Sequence, residues 1–442
     1  MVFSFRWCII FLYIGSLPFY LCAQCWPLAI FFSHSHHQSN HFFSASKHLK
    51  KITSRKSWKK KWLKDAASSL FSLEMKTYSN CTNVQNNSSL FVSVLLAQAD
   101  KNAFKQWHFS SEKGFIIVSS DSNHKKKKIT TCVKVTIQNG TLLCNGKHIK
   151  GALHFYPLIK YGECNGIMYD GSFSIVPYKD CFLCINKVEL EDYITAVLKT
   201  ESWPGWPLEV NKVFAITSRS YVLFKMLEAQ KIGRPYHVKN TNAHQTYKGK
   251  HTIQVFKKAV EQTKGIVIGF KGKPILAMFD SCCGGIIPAH IEEFDFSLAR
   301  YLARPYACTF CKHFPIFSWR VEYSLEEFES LLNLKGYGIK NLSTICINKK
   351  DAAGLVGEIM IRDKTSQISI SGKQLYSLLS AVKSFYFDIQ KKSDTIIFIG
   401  HGFGHHLGLC QWGAYNMVNQ GWDFKSIIRF HFPGTHFMQL IQ

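Results

Sequence analysis

"VELEDYITAVLKTE", residues 188–201, is where the chain changes period. Leu190, Tyr193, Ile194, Val197 and Leu198 fall at i, i+3, i+4, i+7 and i+8. That is one apolar stripe on a helix of 3.6 residues per turn. Glu201 stands at i+11 on the same stripe, followed by Trp203 and Trp206. A carboxyl held among apolar and aromatic groups loses hydration of its charged form, so its pKa rises and suits a general acid near neutral pH. The plainer reading is a helix-end glutamate turned to solvent.

Upstream the period is two. "FIIVSS" (115–120), "CVKVTI" (132–137), "ALHFYPLIK" (152–160) and "SFSIVPY" (172–178) read as strands separated by turn-forming stretches. Downstream, "PLEVNKVFAITSRSYVLFKM" (207–226) reads as a second helix. Pro207 suits its first position and Glu209 its first turn. Its inner stripe is Val210, Val213, Phe214, Thr217, Tyr221 and Phe224, and Arg219 lies beside it. Strands return at "GIVIGF" (265–270) and "ILAMFDS" (275–281). Strand groups alternating with helix groups predict an α+β fold: a β-rich part over 90–185, then a helical and mixed region over 186–442.

The whole chain has 442 residues, 46 % of them apolar and 19 % charged, enough to bury a sizeable core. Its net charge of +25 implies an acidic partner such as anionic lipid or a negatively charged wall polymer. The basic residues gather in "KHLKKITSRKSWKKKWLK" (47–64) and "HKKKK" (124–128). No recognition motif accompanies them, so nucleic acid is not an expected partner. Residues 7–32 carry no charge after Arg6 and read as a signal peptide or membrane anchor over 1–32; residues 33–89 read as a basic linker. The dense basic run after the apolar segment argues by the positive-inside rule for a cytoplasmic chain, against the export that the activity below requires.

Two clusters remain. "FDSCCGGIIPAH" (279–290) and "CTFCKHF" (308–314) offer thiols and imidazoles at metal-ligand spacing. A Cys-x-x-Cys knuckle with a distant Cys and a His makes a tetrahedral zinc site. Cys283, Cys308, Cys311 and His313 are the preferred four, with Cys282 or His290 as substitutes. A disulfide or free thiols are the competing uses. Cys181 and Cys184 flank an apolar "FL" and read as buried thiols or a disulfide. The second cluster, "GHGFGHHLGLCQWGAY" (400–415), has too many glycines for a helix over its first half and no glutamate, which excludes a zinc-protease pair of histidines. It reads as a loop that approaches a ligand closely, with Gln411 and Trp412 suited to sugar rings. A short helix over about 411–420 follows it, capped by Gly421.

The segments "VELEDYITAVLKTE", "WPLEV" (206–210), "SRSY" (218–221), "QTYKG" (245–249), "AVEQTKG" (259–265), "CGG" (283–285) and "GHGFGHHLGLCQWGAY" occur in an order that resembles the stage II sporulation protein D (SpoIID/LytB) family, over about 150–442. The resemblance implies a peptidoglycan lytic transglycosylase acting on glycan strands stripped of stem peptides, or an enhancer of a cell-wall amidase. It implies Glu201 as catalytic acid, with Arg219, Tyr221, His405 and Gln411 positioning substrate or supporting Glu201. No cofactor is needed for that chemistry, and a zinc at the cysteines would be structural. It also implies export, to the periplasm or the outer face of the cytoplasmic membrane, with the N-terminal segment as membrane tether. The chain departs from the family pattern at Ser202, Trp203 and Pro204 after the acid, at Phe214, and at His401, His406 and Cys410 in the glycine-rich loop.

Overall fold

The computed structural model describes residues 90–120 and 128–440, together with two short strands, Ile10–Leu12 and Phe19–Leu21, that pair antiparallel. The targeting segment and basic linker expected over 1–89 otherwise lie outside the described residues, as does most of the 124–128 run. Among the described residues no helix is long and apolar enough to cross a membrane.

Alternation builds the first layer. In Ser172–Tyr178 the side chains of Phe173 and Ile175 are buried while their neighbours are half-buried, the pattern of a strand with one face on a core. Eleven strands join one sheet, almost wholly antiparallel, whose central neighbours are Phe91–Asp100, Cys181–Glu189, Ser172–Tyr178, Leu153–Pro157, Lys105–Ser119 and Lys128–Gln138. Phe109, Phe115, Phe155 and Phe173 fill its buried face, with Phe109 and Phe155 stacked at 4.7 Å. Asn165 and Gly166, both at positive φ, close a two-residue hairpin between Tyr161–Cys164 and Ile167–Asp170, the conformation a type I′ turn requires.

Cys181–Glu189 is buried on both faces. Cys184 points into the main core; Cys181 joins a smaller cluster with Leu95, Leu183 and Ile185 on the other side. Both are free thiols, and lying on opposite faces they do not bond to one another.

This strand runs directly into the first helix, α1 (Leu190–Glu201), and α2 (Leu208–Lys231) follows after a short turn. The expected start of α2 differs by one residue, with Pro207 as its N-cap, and the helix continues five residues past Met226. Burial around most of its circumference explains why it holds together without a narrow stripe. Helix α3 (Gln254–Gln262) packs on α2. The strand Val238–Lys239, between them in sequence, pairs parallel with Phe91–Asp100. Sheet and helices therefore share one core.

The strand expected over 275–281 shortens to Phe279–Asp280. Just before it, the amides of Ala277 and Met278 bond to the carbonyls two residues back, at 2.9 Å each, tight γ-type turns that replace a sheet ladder. Phe279–Asp280 pairs parallel with Leu409–Cys410.

Between these two partners the chain makes a lobe with its own core of Tyr323, Phe328, Ile359, Ile361 and Phe398. It contains α4 (Leu325–Asn333), α5 (Gly372–Leu378) and two three-stranded sheets. Ser324 caps α4, and Ser371 with Gln374 forms a capping box on α5. The sequence pattern alone does not separate this lobe from its surroundings. The chain closes with α6 (Gln411–Asn419), α7 (Phe424–His431) and the strand His436–Gln439, which pairs with Ile266–Phe270. Helices and sheets are both present and largely segregated, an α+β architecture.

Candidate functional site

Glu201 is the last residue of α1 and is only 8 % exposed. Its Oε1 accepts the amide of Thr246 at 2.7 Å. Burial pushes its pKa up from 4.5 to about 7, against the pull of the Thr246 amide and hydroxyl. The carboxyl also sits at the negative end of the helix dipole, which works in the same upward direction. A carboxyl titrating near neutrality can donate a proton and take one back at that pH.

The stretch Gln245–Thr246–Tyr247 makes this position rigid. Tyr193 on α1 donates its hydroxyl to Gln245 Oε1 at 3.0 Å, and Tyr247 donates to Asn186 Oδ1 at 2.8 Å. Thr200 Oγ1 donates to the Thr246 carbonyl. Thr246 is thus a site residue to which the sequence reading gives no role. The only signal is a polar pair, Gln-Thr, in a segment of no clear element.

Beyond Glu201 the chain turns through Ser202–Pro207. Asn211 holds this turn: its Nδ2 donates to the carbonyls of Trp206 (3.1 Å) and Pro207 (3.3 Å), and Ser202 Oγ donates to its Oδ1 at 2.6 Å. Trp203 is 36 % exposed. Trp206 packs on Trp412 and Tyr415 at 5.4 Å each, and Phe314 lies 4.5 Å from Trp412. An exposed indole two residues beyond the acid is a surface on which a sugar ring can stack.

The glycine-rich loop reaches Glu201 from the other side. Gln411, the first residue of α6, is buried and donates Nε2 to the Glu201 carbonyl at 2.9 Å. Its amide therefore holds the main chain of the acid, the supporting one of the two roles expected for it. The loop lies close against the Phe279–Asp280 strand: a Cβ at Gly408 would come within 2.0 Å of the Met278 carbonyl oxygen. Asp280 is buried and its Oδ2 accepts the His406 amide at 2.7 Å. His406 adopts φ 67°, and its Nδ1 bonds to the Cys283 carbonyl at 2.9 Å. His405 is partly exposed and accepts the Leu407 amide at 3.1 Å. It lines a cleft of about 690 Å³ together with Met278, Phe385 and Lys349. Glu201 is not among the residues that line that cleft. His401 bonds to Ser318 at 3.2 Å and packs on Phe317 and Tyr386.

Arg219 is a correction. Its guanidinium is fully buried; Nε and Nη2 bond to the two oxygens of Glu191 at 3.0 and 2.6 Å, and Nη1 to the Ile266 carbonyl at 3.0 Å. With every face engaged it cannot reach substrate or Glu201, and it ties α2 to the first turn of α1. Tyr221 is buried on α2, and burial first, then the charges of Glu228 and Glu201, raise its phenol above the usual range. It does not belong to an open surface.

The thiol cluster is a second correction. Cys283, Cys308, Cys311 and Cys410 are all buried, with sulfur atoms within 4.8 Å of one another. His313 and His290 are exposed and stand outside this group. The parallel pairing of Phe279–Asp280 with Leu409–Cys410 brings Cys410 in as the fourth member in place of His313. Cys282 is buried beside them.

Comparison with known proteins places two family models on the chain. The family model "Stage II sporulation protein" matches residues 178–270, which span α1, α2 and the Thr246 segment. A "Domain of unknown function (DUF8618)" matches 309–408, which contains the separate lobe. An uncharacterised protein of Brachyspira hyodysenteriae is 33 % identical over 61 % of this chain and 72 % of its own length. The stage II sporulation protein D of Bacillus subtilis is 25 % identical over 59 % of this chain and 78 % of its own. The amidase enhancer of the same organism is 24 % identical over 55 % of this chain but 40 % of its own. The chain belongs to the stage II sporulation protein D family.

Proposed function

We propose that this protein is a lytic transglycosylase that cuts peptidoglycan glycan strands, stripped of stem peptides, between N-acetylmuramic acid and N-acetylglucosamine. The observation that carries the reading is Glu201: a buried carboxyl with a pKa of about 7, held by Thr246 and Gln411 beside an exposed tryptophan. The protonated acid donates to the glycosidic oxygen as the bond to the muramic acid C1 breaks. The resulting carboxylate then takes the proton of the same sugar's C6 hydroxyl, whose oxygen closes on C1 to form a 1,6-anhydro ring. The nucleophile belongs to the substrate, so its effective concentration is high and neither a second carboxylate nor a positioned water is required. Trp203 supplies a stacking face. The reading requires the site to lie outside the cytoplasmic membrane, and the excess of basic residues suits an anionic wall.

A second reading rests on the similarity to the amidase enhancer: the same surface around Glu201 binds glycan strands and activates a cell-wall amidase without cutting them. The test is to incubate the full chain, wild type and Glu201→Gln, with peptide-free glycan strands and analyse the ends by mass spectrometry. Wild type should release anhydro ends, and the variant should lose at least about 10²-fold in rate. Wild-type activity should fall as pH rises past about 7, where Glu201 ionises. Absence of anhydro ends with wild type, together with amidase stimulation that survives Glu201→Gln, would establish the second reading instead.

A further inference from the structure

We infer that Cys283, Cys308, Cys311 and Cys410 form a closed tetrathiolate zinc site, and that this site holds Gln411 beneath Glu201. The donor set is the first argument. Four buried sulfur atoms lie within 4.8 Å of one another, and Cys283 and Cys311 are 3.7 Å apart. A zinc–sulfur bond of about 2.3 Å in tetrahedral geometry puts neighbouring sulfurs about 3.8 Å apart, so the four need only a small contraction. A disulfide would need a far closer approach, about 2.05 Å. Soft thiolates select zinc over the hard cations, and four protein ligands leave no open position for catalysis.

The surroundings are the second argument. The amides of Cys283 and Gly413 point at Cys410 Sγ, at 3.4 and 3.3 Å, donors that favour a thiolate there. Such partners orient ligands around a metal. Near the cluster, Arg304 is 1 % exposed, and none of its three guanidinium nitrogens has an acceptor among the described residues. Its charge lies 5.2 Å over the ring of Phe430, which packs against the cysteines. Four thiolates around a divalent cation carry a net charge of minus two. That buried negative charge is what an unpaired guanidinium lacks, since a lone buried cation is strongly disfavoured.

The connection to the site is covalent. Cys410 is the N-cap of α6, and its Sγ accepts the Gly413 amide, so the ligand is also the cap. The next residue, Gln411, donates to the Glu201 carbonyl. Fixing Cys410 in a metal centre fixes the start of α6 and hence the main chain of the acid. Gln411 is in this sense a positioning residue, and its link to catalysis rests on the reading of Glu201 as the acid; the metal site does not.

The experiment begins with metal analysis of the purified full chain. One zinc per chain is expected. Cys283, Cys308, Cys311 and Cys410 should resist alkylation until a chelator is added, as read by mass spectrometry, and the cobalt-substituted protein should show thiolate-to-metal charge-transfer absorption. Cys282→Ser and His313→Ala should keep the metal, whereas Cys311→Ser should lose it. Metal removal should speed amide exchange at 411–415 while the Phe91–Gln138 strands keep their protection. Gln411→Ala should keep zinc and shift the pH profile of glycan cleavage. A metal-free chain with four reactive thiols, disulfides among these cysteines, iron in place of zinc, or loss of metal in His313→Ala would each overturn the assignment. None of these readouts requires the chain to cut glycan, so failure of the metal site and failure of the proposed activity are told apart.

Discussion

The two ends of α1 each carry a shielded carboxyl, and they meet opposite fates. At the N-terminal end Glu191 meets a complete partner: both its oxygens face the Arg219 guanidinium, and Oε1 also accepts the Gly265 amide at 3.2 Å. It stands where the helix dipole favours negative charge. At the C-terminal end Glu201 has one amide and one hydroxyl, both from Thr246, and stands where the dipole opposes charge. The first end is therefore a permanent ion pair that fastens two helices. The second holds a carboxyl whose neutral and charged forms are nearly balanced at neutral pH. Residue type is the same at both ends; the difference is the cation supplied at one and withheld at the other.

Removing the cation is the harshest way to break this comparison. Arg219→Ala leaves Glu191 shielded without its partner and the Ile266 carbonyl without its donor. Loss of one partner from a buried pair costs about 3–5 kcal/mol, and chemical denaturation should show a drop of that order. Glycan binding by the folded variant should be unchanged, because the guanidinium has no free face. Weakened glycan binding with undiminished stability would return Arg219 to the role in substrate binding that the sequence reading gives it.

Glu201→Gln sharpens the other end. The unfolded chain gives up this proton near 4.5 and the folded chain near 7. A folded-state pKa above the unfolded value means that the stability held by the neutral acid is complete below about 4.5 and is lost as pH rises through about 7. Glutamine makes no such loss. The stability of the variant relative to wild type should therefore grow by up to about 3 kcal/mol between acid and mildly alkaline pH. Parallel curves for the two proteins would mean that Glu201 is ionised and solvated in the fold, and would remove the acid from the proposed reaction.

How much of this is legible in the sequence follows the range of each interaction. The stripe from Leu190 to Glu201 is local, so a period of 3.6 residues is enough to place the carboxyl on the apolar side of α1. The strand Ser172–Tyr178 is legible for the same reason, as is the last third of Lys105–Ser119, from Phe115 on. Arg219 is not assignable, because its partner lies on another helix and nothing in the "SRSY" segment indicates which way the side chain turns. The fourth thiol is harder still. Cys410 reaches the Cys308–Cys311 knuckle only because two strands of two residues each pair in parallel, and a strand that short has no pattern to read. His313 is the nearer group in sequence, and its exposure shows how little nearness decides. Thr246 acts through its hydroxyl and through its backbone amide, which every residue but proline possesses, so a polar pair in a segment of no clear element is all that marks it.

The smallest effect tests whether shielding, and not mere pairing, separates the ends of α1. Asp192, next to Glu191, binds Lys160 at 2.7 Å, close to the 2.6 Å of the buried pair. The Lys160 side chain is 59 % exposed, so water screens the attraction and competes for both charges. Lys160→Ala should cost less than about 1 kcal/mol, and much of that should vanish at high salt, whereas the Arg219→Ala loss should persist there. Two ion pairs of similar length on adjacent residues of one helix would then differ several-fold in strength. If Lys160→Ala proved as damaging as Arg219→Ala, distance alone would govern these pairs, and the low dielectric around α1 would no longer explain why Glu201 holds its proton.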